Sequence, residues 1–123
     1  MRVLYVEDDP DTQNMYRRRL EARGVELHTA SNGSEAIELL RRQHFDALIL
    51  DVMMPGIDGF QVGEVARREG KNKKLAIIIL TAHPAALKDS RADRLEPLGK
   101  FIKPVKMDKL MALLEKAGES AKS

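Results

Sequence analysis

A chain of 123 residues suits one domain and can bury a real core without disulfides or a structural metal. It has no Cys, which excludes disulfide staples, thiolate metal sites and cysteine nucleophiles. Its 21 Lys and Arg nearly cancel its 19 Asp and Glu, and a net charge of +2 without Trp argues against a nucleic-acid surface.

No segment approaches the ~18 unbroken apolar residues of a membrane helix. The start, MRVLYVEDD, turns acidic after one short apolar run and is not a signal peptide. A cytoplasmic protein without membrane insertion is the expectation. Two basic clusters, Arg17, Arg18 and Arg19, then Lys71, Lys73 and Lys74, read as a solvated helix face and a solvated loop.

In chain order, Val3 to Val6 reads as a strand. The acidic run Glu7, Asp8 and Asp9 precedes Pro10, which suits the first turn of a helix. That helix is expected over residues 11 to 22, with Met15, Arg19 and Ala22 on one side and Gly24 as its stop. Val25 to Thr29 is a second strand, and Asn32 with Glu35 forms a candidate capping box for the helix that follows. Ala47 to Leu50 is a third strand, continuously apolar as in a parallel sheet buried on both faces, and it runs into Asp51.

Pro55, Gly56 and Gly59 mark a loop, and Asp58 with Gln61 caps a helix carrying Phe60, Val62, Val65 and Ala66. Leu75 to Leu80 is the most apolar strand and runs into Thr81. A weaker helix is expected from about residue 84 to 95, then a short strand at Phe101 and Ile102 ending in Lys103 and Pro104. The last helix carries Met107, Leu110, Met111 and Leu114 and stops near Gly118, leaving residues 119 to 123 as a polar, frayed tail.

Five strand–helix repeats imply one α/β domain, a five-stranded parallel sheet with helices on both faces. In such sheets, ligands bind beyond the carboxyl ends of the strands. Strand one ends in Glu7 and Asp8, strand three in Asp51, strand four in Thr81 and strand five in Lys103. Three carboxylates at one edge repel each other, and a divalent cation relieves that repulsion. All-oxygen ligation suits Mg²⁺ or Mn²⁺. Lys103 sets a fixed positive charge against phosphoryl oxygens, and Thr81 offers a hydrogen bond. With an Asp carboxylate as nucleophile, this is equipment for phosphoryl transfer.

From Val3 to Leu114 the chain resembles the receiver domain family of two-component response regulators, of flavodoxin-like fold. The motifs are VEDD at 6 to 9, LILDVMMPGIDG at 48 to 59, ILTA at 79 to 82 and KP at 103 to 104. The resemblance implies a phosphorelay in which Asp51 accepts a phosphoryl group from a histidine kinase or a histidine phosphotransfer protein. It implies that Glu7, Asp8, Asp51 and the backbone carbonyl of Met53 hold Mg²⁺. Thr81 becomes the switch hydroxyl and Lys103 the phosphate-contacting lysine. A cis bond is implied at Lys103–Pro104, and Asp9 is left as a helix cap.

Phosphorylation then switches a protein-binding face, most often the one around helix four, strand five and helix five. One position departs from the family: Lys100 stands where a Tyr or Phe is usual. A buried ammonium is costly, so Lys100 is expected on the solvated side of strand five, with Lys106 and Lys109 adding to a basic face.

Two other functions remain on the sequence alone. A small aspartyl-phosphate phosphatase also uses a strand-end Asp with Thr and Lys, but needs a second acid two residues on, where this chain has Met53. A binding module of the same fold needs no phosphorylation, and the intact acidic set argues against it. Met53 and Met54 are better explained by packing than by a soft metal site, and His28, His44 and His83 fall on different elements. The chain ends soon after the fifth helix with no output domain, which leaves open a stand-alone receiver or a piece of a longer protein.

Overall fold

The computed structural model describes residues 1–53, 56, 58–69, 72 and 74–122, with the side chains of residues 120–122 excepted. The expectations placed on Met54, Pro55, Lys71 and Lys73 lie outside the described residues.

The apolar runs form five strands: β1 (Arg2–Val6), β2 (Glu26–Ala30), β3 (Ala47–Leu50), β4 (Ala76–Thr81) and β5 (Gly99–Ile102). They pair in parallel in the order β2-β1-β3-β4-β5. Alternate residues serve opposite faces, as the period of a strand requires. Leu4, Val6, Leu48, Leu50, Ile77 and Ile79 belong to one core cluster. Val3, Tyr5, Ala47, Ile49, Ile78 and Leu80 belong to the other. A sheet buried on both sides explains why β3 and β4 read as unbroken apolar runs.

The helices are α1 (Pro10–Glu21), α2 (Gly33–Arg42), α3 (Gly59–Arg68), α4 (Ser90–Arg94) and α5 (Met107–Lys122). Ala36 and Leu40 of α2, Phe60, Val62 and Ala66 of α3, and Ala92 of α4 line the first core. Tyr16 and Leu20 of α1 and Leu110 and Leu114 of α5 line the second. Asp9 caps α1 by accepting from Thr12 N at 2.9 Å. The Asp58–Gln61 capping box is complete in both directions. Asn32 caps α2 through Glu35 N, but the Glu35 carboxylate reaches Ser31 N rather than closing the box.

Two expectations change, and the orientation of α1 is new. The side of α1 carrying Met15, Arg19 and Ala22 faces outward, and its buried residues are Tyr16 and Leu20. Tyr16 wins that position because its ring packs edge-on against Tyr5, with centroids 5.9 Å apart. The weak helix expected over 84 to 95 divides into a 3₁₀ turn, Pro84–Lys88, and the short α4, with Asp89 between them accepting from Arg91 N. Finally, α5 does not stop near Gly118 but runs to Lys122. Gly118 sits within the helix, beside the flexible end of Met1, and does not cap it. Among the described residues, no helix is long and apolar enough to cross a membrane.

Candidate functional site at the carboxyl edge of the sheet

The strand order reverses between β1 and β3, which places a crevice at their carboxyl ends. Backbone bonds carry the parallel ladder one residue past the strands. Glu7 N donates to Ala30 O at 3.0 Å, Asp51 N to Val6 O at 3.1 Å, and Lys103 N to Thr81 O at 2.8 Å. These bonds hold the side chains of Glu7, Asp51 and Lys103 at one edge.

There the structure brings together four of the residues that the sequence singled out. Glu7, Asp8 and Asp51 each offer an oxygen within 4.8 Å of the others. Lys103 Nζ donates to Asp51 Oδ2 at 3.0 Å and to Glu7 Oε1. Glu7 and Asp51 are buried, whereas Asp8 is exposed at the mouth. Two buried carboxylates at one ammonium give a compensated charge cluster. Burial opposes the Lys103 charge, but its hydrogen bonds to Glu7 and Asp51 outweigh that and hold its pKa above the usual lysine value. Desolvation, then the neighbouring Glu7, raises the Asp8 carboxyl above its ordinary value. A cation beside these carboxylates would favour their charged forms. The donors are all oxygens, which fits Mg²⁺ chemistry.

Asp51 Oδ1 accepts from Met53 N at 3.0 Å, which turns the loop back onto the carboxylate. Met53 itself is an exposed side chain. Gly59, the first residue of α3, lies against this loop. A Cβ there would sit 2.3 Å from Asp51 O, so only glycine lets α3 start beside the carboxylate. Thr81 is fully buried at the end of β4, and its hydroxyl accepts from His83 N at 3.1 Å. Its oxygen thus faces its own loop. The Lys103–Pro104 bond is cis.

Sequence reasoning missed two tyrosines behind the cluster. Tyr5, fully buried, donates from its hydroxyl to Glu7 Oε1 at 3.4 Å. Burial, then the charge of Glu7, pushes its pKa upward, so it remains a protonated donor. Tyr16 accepts at its hydroxyl from Val105 N at 3.2 Å, two residues past Lys103. The available signal was strand alternation, which puts residues 5 and 7 on the same side of β1.

Lys100 lies on the exposed side of β5, as its charge demands. It is not simply solvated: Nζ donates to Leu87 O at 3.0 Å and to Asp93 Oδ1 at 3.1 Å. Its charge is therefore met by the segment that follows Thr81 rather than being presented freely beside the exposed Lys106 and Lys109. On the other side of α4, the Arg91 guanidinium covers the Phe60 ring at 4.3 Å and pairs with Asp89 and Asp58.

Comparisons with known proteins agree with this geometry. The family profile described as response regulator receiver domain matches residues 3–115. The response regulator MprA of Mycobacterium leprae is 37% identical over 117 residues, which are 91% of this chain and 48% of that protein. The transcriptional regulatory protein AfsQ1 of Streptomyces coelicolor is 42% identical over 80 residues, 65% of this chain and 34% of that protein. The chain thus spans about half the length, or less, of these curated relatives.

Among solved structures, the response regulator TrrA of Thermotoga maritima, in complex with Mg²⁺–BeF, superposes with a TM-score of 0.84 at 32% identity, covering 94% of this chain and 97% of that one. The receiver domain of a sensor histidine kinase from Pseudomonas aeruginosa, with magnesium in its active-site cleft, gives 0.84 at 28% identity, covering 95% and 97%. With its doubly wound sheet and its acidic cluster at the carboxyl edge, the chain belongs to the response regulator receiver domain family.

Proposed function

We propose that this chain is a phosphorylation switch in which Asp51 accepts the phosphoryl group of a phosphohistidine on a histidine kinase or histidine phosphotransfer protein. The observation that carries this reading is the Lys103 bridge to Asp51 and Glu7, with Asp8 beside them. Glu7, Asp8 and Asp51 would hold Mg²⁺, or equally Mn²⁺, with the Met53 carbonyl as a further ligand. When bound, the cation neutralises charge on the phosphoryl oxygens.

Asp51 Oδ2 attacks phosphorus in line, the P–N bond breaks, and the departing imidazole takes a proton. Lys103 exchanges its carboxylate partners for a phosphoryl oxygen. The Thr81 hydroxyl exchanges His83 N for another, moving the loop that leads to the 3₁₀ turn, α4 and the Lys100 contacts. The domain thereby assists its own phosphorylation and dephosphorylation while serving as a signal rather than a metabolic enzyme. Phosphorylation changes a protein-binding face around α4, β5 and α5. We assign the unit to residues 1–122, because α5 runs past the expected boundary at 118, and place it in the cytoplasm, acting through a protein partner with no direct contact to nucleic acid.

The test is incubation with acetyl phosphate, followed by intact-mass measurement. With Mg²⁺ the chain gains one phosphoryl group as acetate leaves; with a chelator it gains none. An unlabelled chain at millimolar Mg²⁺ contradicts the proposal. The metal site has its own test. Mg²⁺ raises the melting temperature by mass action, and Asp8→Ala removes most of that rise. Without metal, Asp8→Ala melts no lower than the unaltered chain, because it also removes carboxylate repulsion. A lower metal-free melting temperature for Asp8→Ala contradicts the repulsion argument.

A further inference from the structure

Glu7 is held on three sides. Asp9 N donates to Oε2 at 3.2 Å, and both Lys103 Nζ and the Tyr5 hydroxyl reach Oε1. Lys103 belongs to the phosphoryl-transfer chemistry and changes partners during it. Asp9 is committed to capping α1. Tyr5 differs from both. It has no exposure to solvent, its ring is wedged edge-on against Tyr16, and its hydroxyl donates to Glu7. A buried hydroxyl without an acceptor is costly. The Tyr5–Glu7 contact therefore persists while Lys103 comes and goes. Tyr16, through Val105 N, ties the same ring pair to the loop that carries Lys103.

We propose that Tyr5 is a positioning residue for the phosphorylation site: its hydroxyl fixes Oε1 of Glu7, so that Glu7 meets the cation in one orientation whether or not Lys103 is engaged. The proposal rests on the reading of Glu7, Asp8 and Asp51 as a Mg²⁺ site. Carboxylates that ligate metals are themselves oriented by outer hydrogen bonds, and losing such a partner weakens metal binding or activity by ~10–100-fold. Tyr5→Phe removes only the hydroxyl and keeps the ring and its contact with Tyr16.

The experiment is calorimetric titration of the chain with Mg²⁺ in four forms: unaltered, Tyr5→Phe, Glu7→Ala and the double variant. Tyr5→Phe is expected to weaken Mg²⁺ binding about tenfold. In the Glu7→Ala background the same change alters affinity by less than about twofold, because the oxygen that Tyr5 holds is gone. Phosphorylation by acetyl phosphate slows in Tyr5→Phe at limiting Mg²⁺ and returns to the unaltered rate at saturation, a split that a loosened core does not give. Two results overturn the proposal: Tyr5→Phe binding Mg²⁺ within about twofold of the unaltered chain, or an equal loss in both backgrounds. If the unaltered chain fails to bind Mg²⁺, the metal-site reading falls, and this proposal with it.

Discussion

Lys103→Met lowers the metal-free stability of this domain by about 3–5 kcal/mol, the usual cost of removing one partner from a buried ion pair. Glu7 and Asp51 are almost fully buried, and among the described residues Lys103 is the cation bonded to both. Without it, two carboxylates face each other in a poorly solvated crevice. Urea unfolding in a chelator measures the loss directly. In saturating Mg²⁺ most of it is recovered, because the cation neutralises the same charges.

The pH dependence has a definite sign. The folded-state pKa of Lys103 is raised, so its contribution is fully present below the ordinary lysine value. It is lost as pH rises through the raised value. The gap between unaltered and Lys103→Met chains therefore closes on the alkaline side as the ammonium loses its proton. Equal unfolding midpoints in a chelator at pH 7 contradict this account.

The second large effect lies away from the site. Asn72→Ala costs about 3 kcal/mol, because it strands three backbone groups. Asn72 is buried; its Oδ1 accepts from Phe45 N at 2.8 Å, and its Nδ2 donates to Leu40 O at 2.7 Å and Gln43 O at 2.9 Å. One side chain from the segment before β4 thus closes the end of α2 and sets the entry to β3, the strand that delivers Asp51. Lys74→Ala, at an exposed neighbour, is the control and shifts stability by no more than about 0.5 kcal/mol. If both variants unfold within about 1 kcal/mol of the unaltered chain, the bracing role is wrong.

Asn72 also shows where the sequence stops being legible. Its surroundings read as a solvated basic loop, because a window of neighbours contains only polar and charged residues. Its partners are 27 to 32 positions away in the chain, and only the folded chain places them against it. Tyr5 was hidden for the opposite reason. Inside a short apolar strand a tyrosine reads as filler, and only its depth shows that the hydroxyl must find an acceptor. Tyr16 was not singled out in α1 because two rings facing each other across elements leave no local periodicity.

The parts that could be read are those set by neighbours in the chain. The strand ends follow from apolar runs that break at a charged residue. The cap at Asp58 follows from its spacing to Gln61 alone. Once the strands are parallel, Glu7, Asp51 and Lys103 have only one edge at which to meet. The consequence of Lys100 was half legible. Its exposure followed from charge, but its bonds to Leu87 O and Asp93 depend on how the 3₁₀ turn and α4 divide the segment after Thr81.

The most direct test of the account is to locate the phosphoryl group. The unaltered chain and Asp51→Asn are each incubated with acetyl phosphate and Mg²⁺, then weighed intact. The substitution keeps the shape of the side chain but supplies a far weaker nucleophile. The account predicts one added phosphoryl group on the unaltered chain and none on Asp51→Asn. Equal labelling of the two chains would place the acceptor elsewhere and contradict the central assignment.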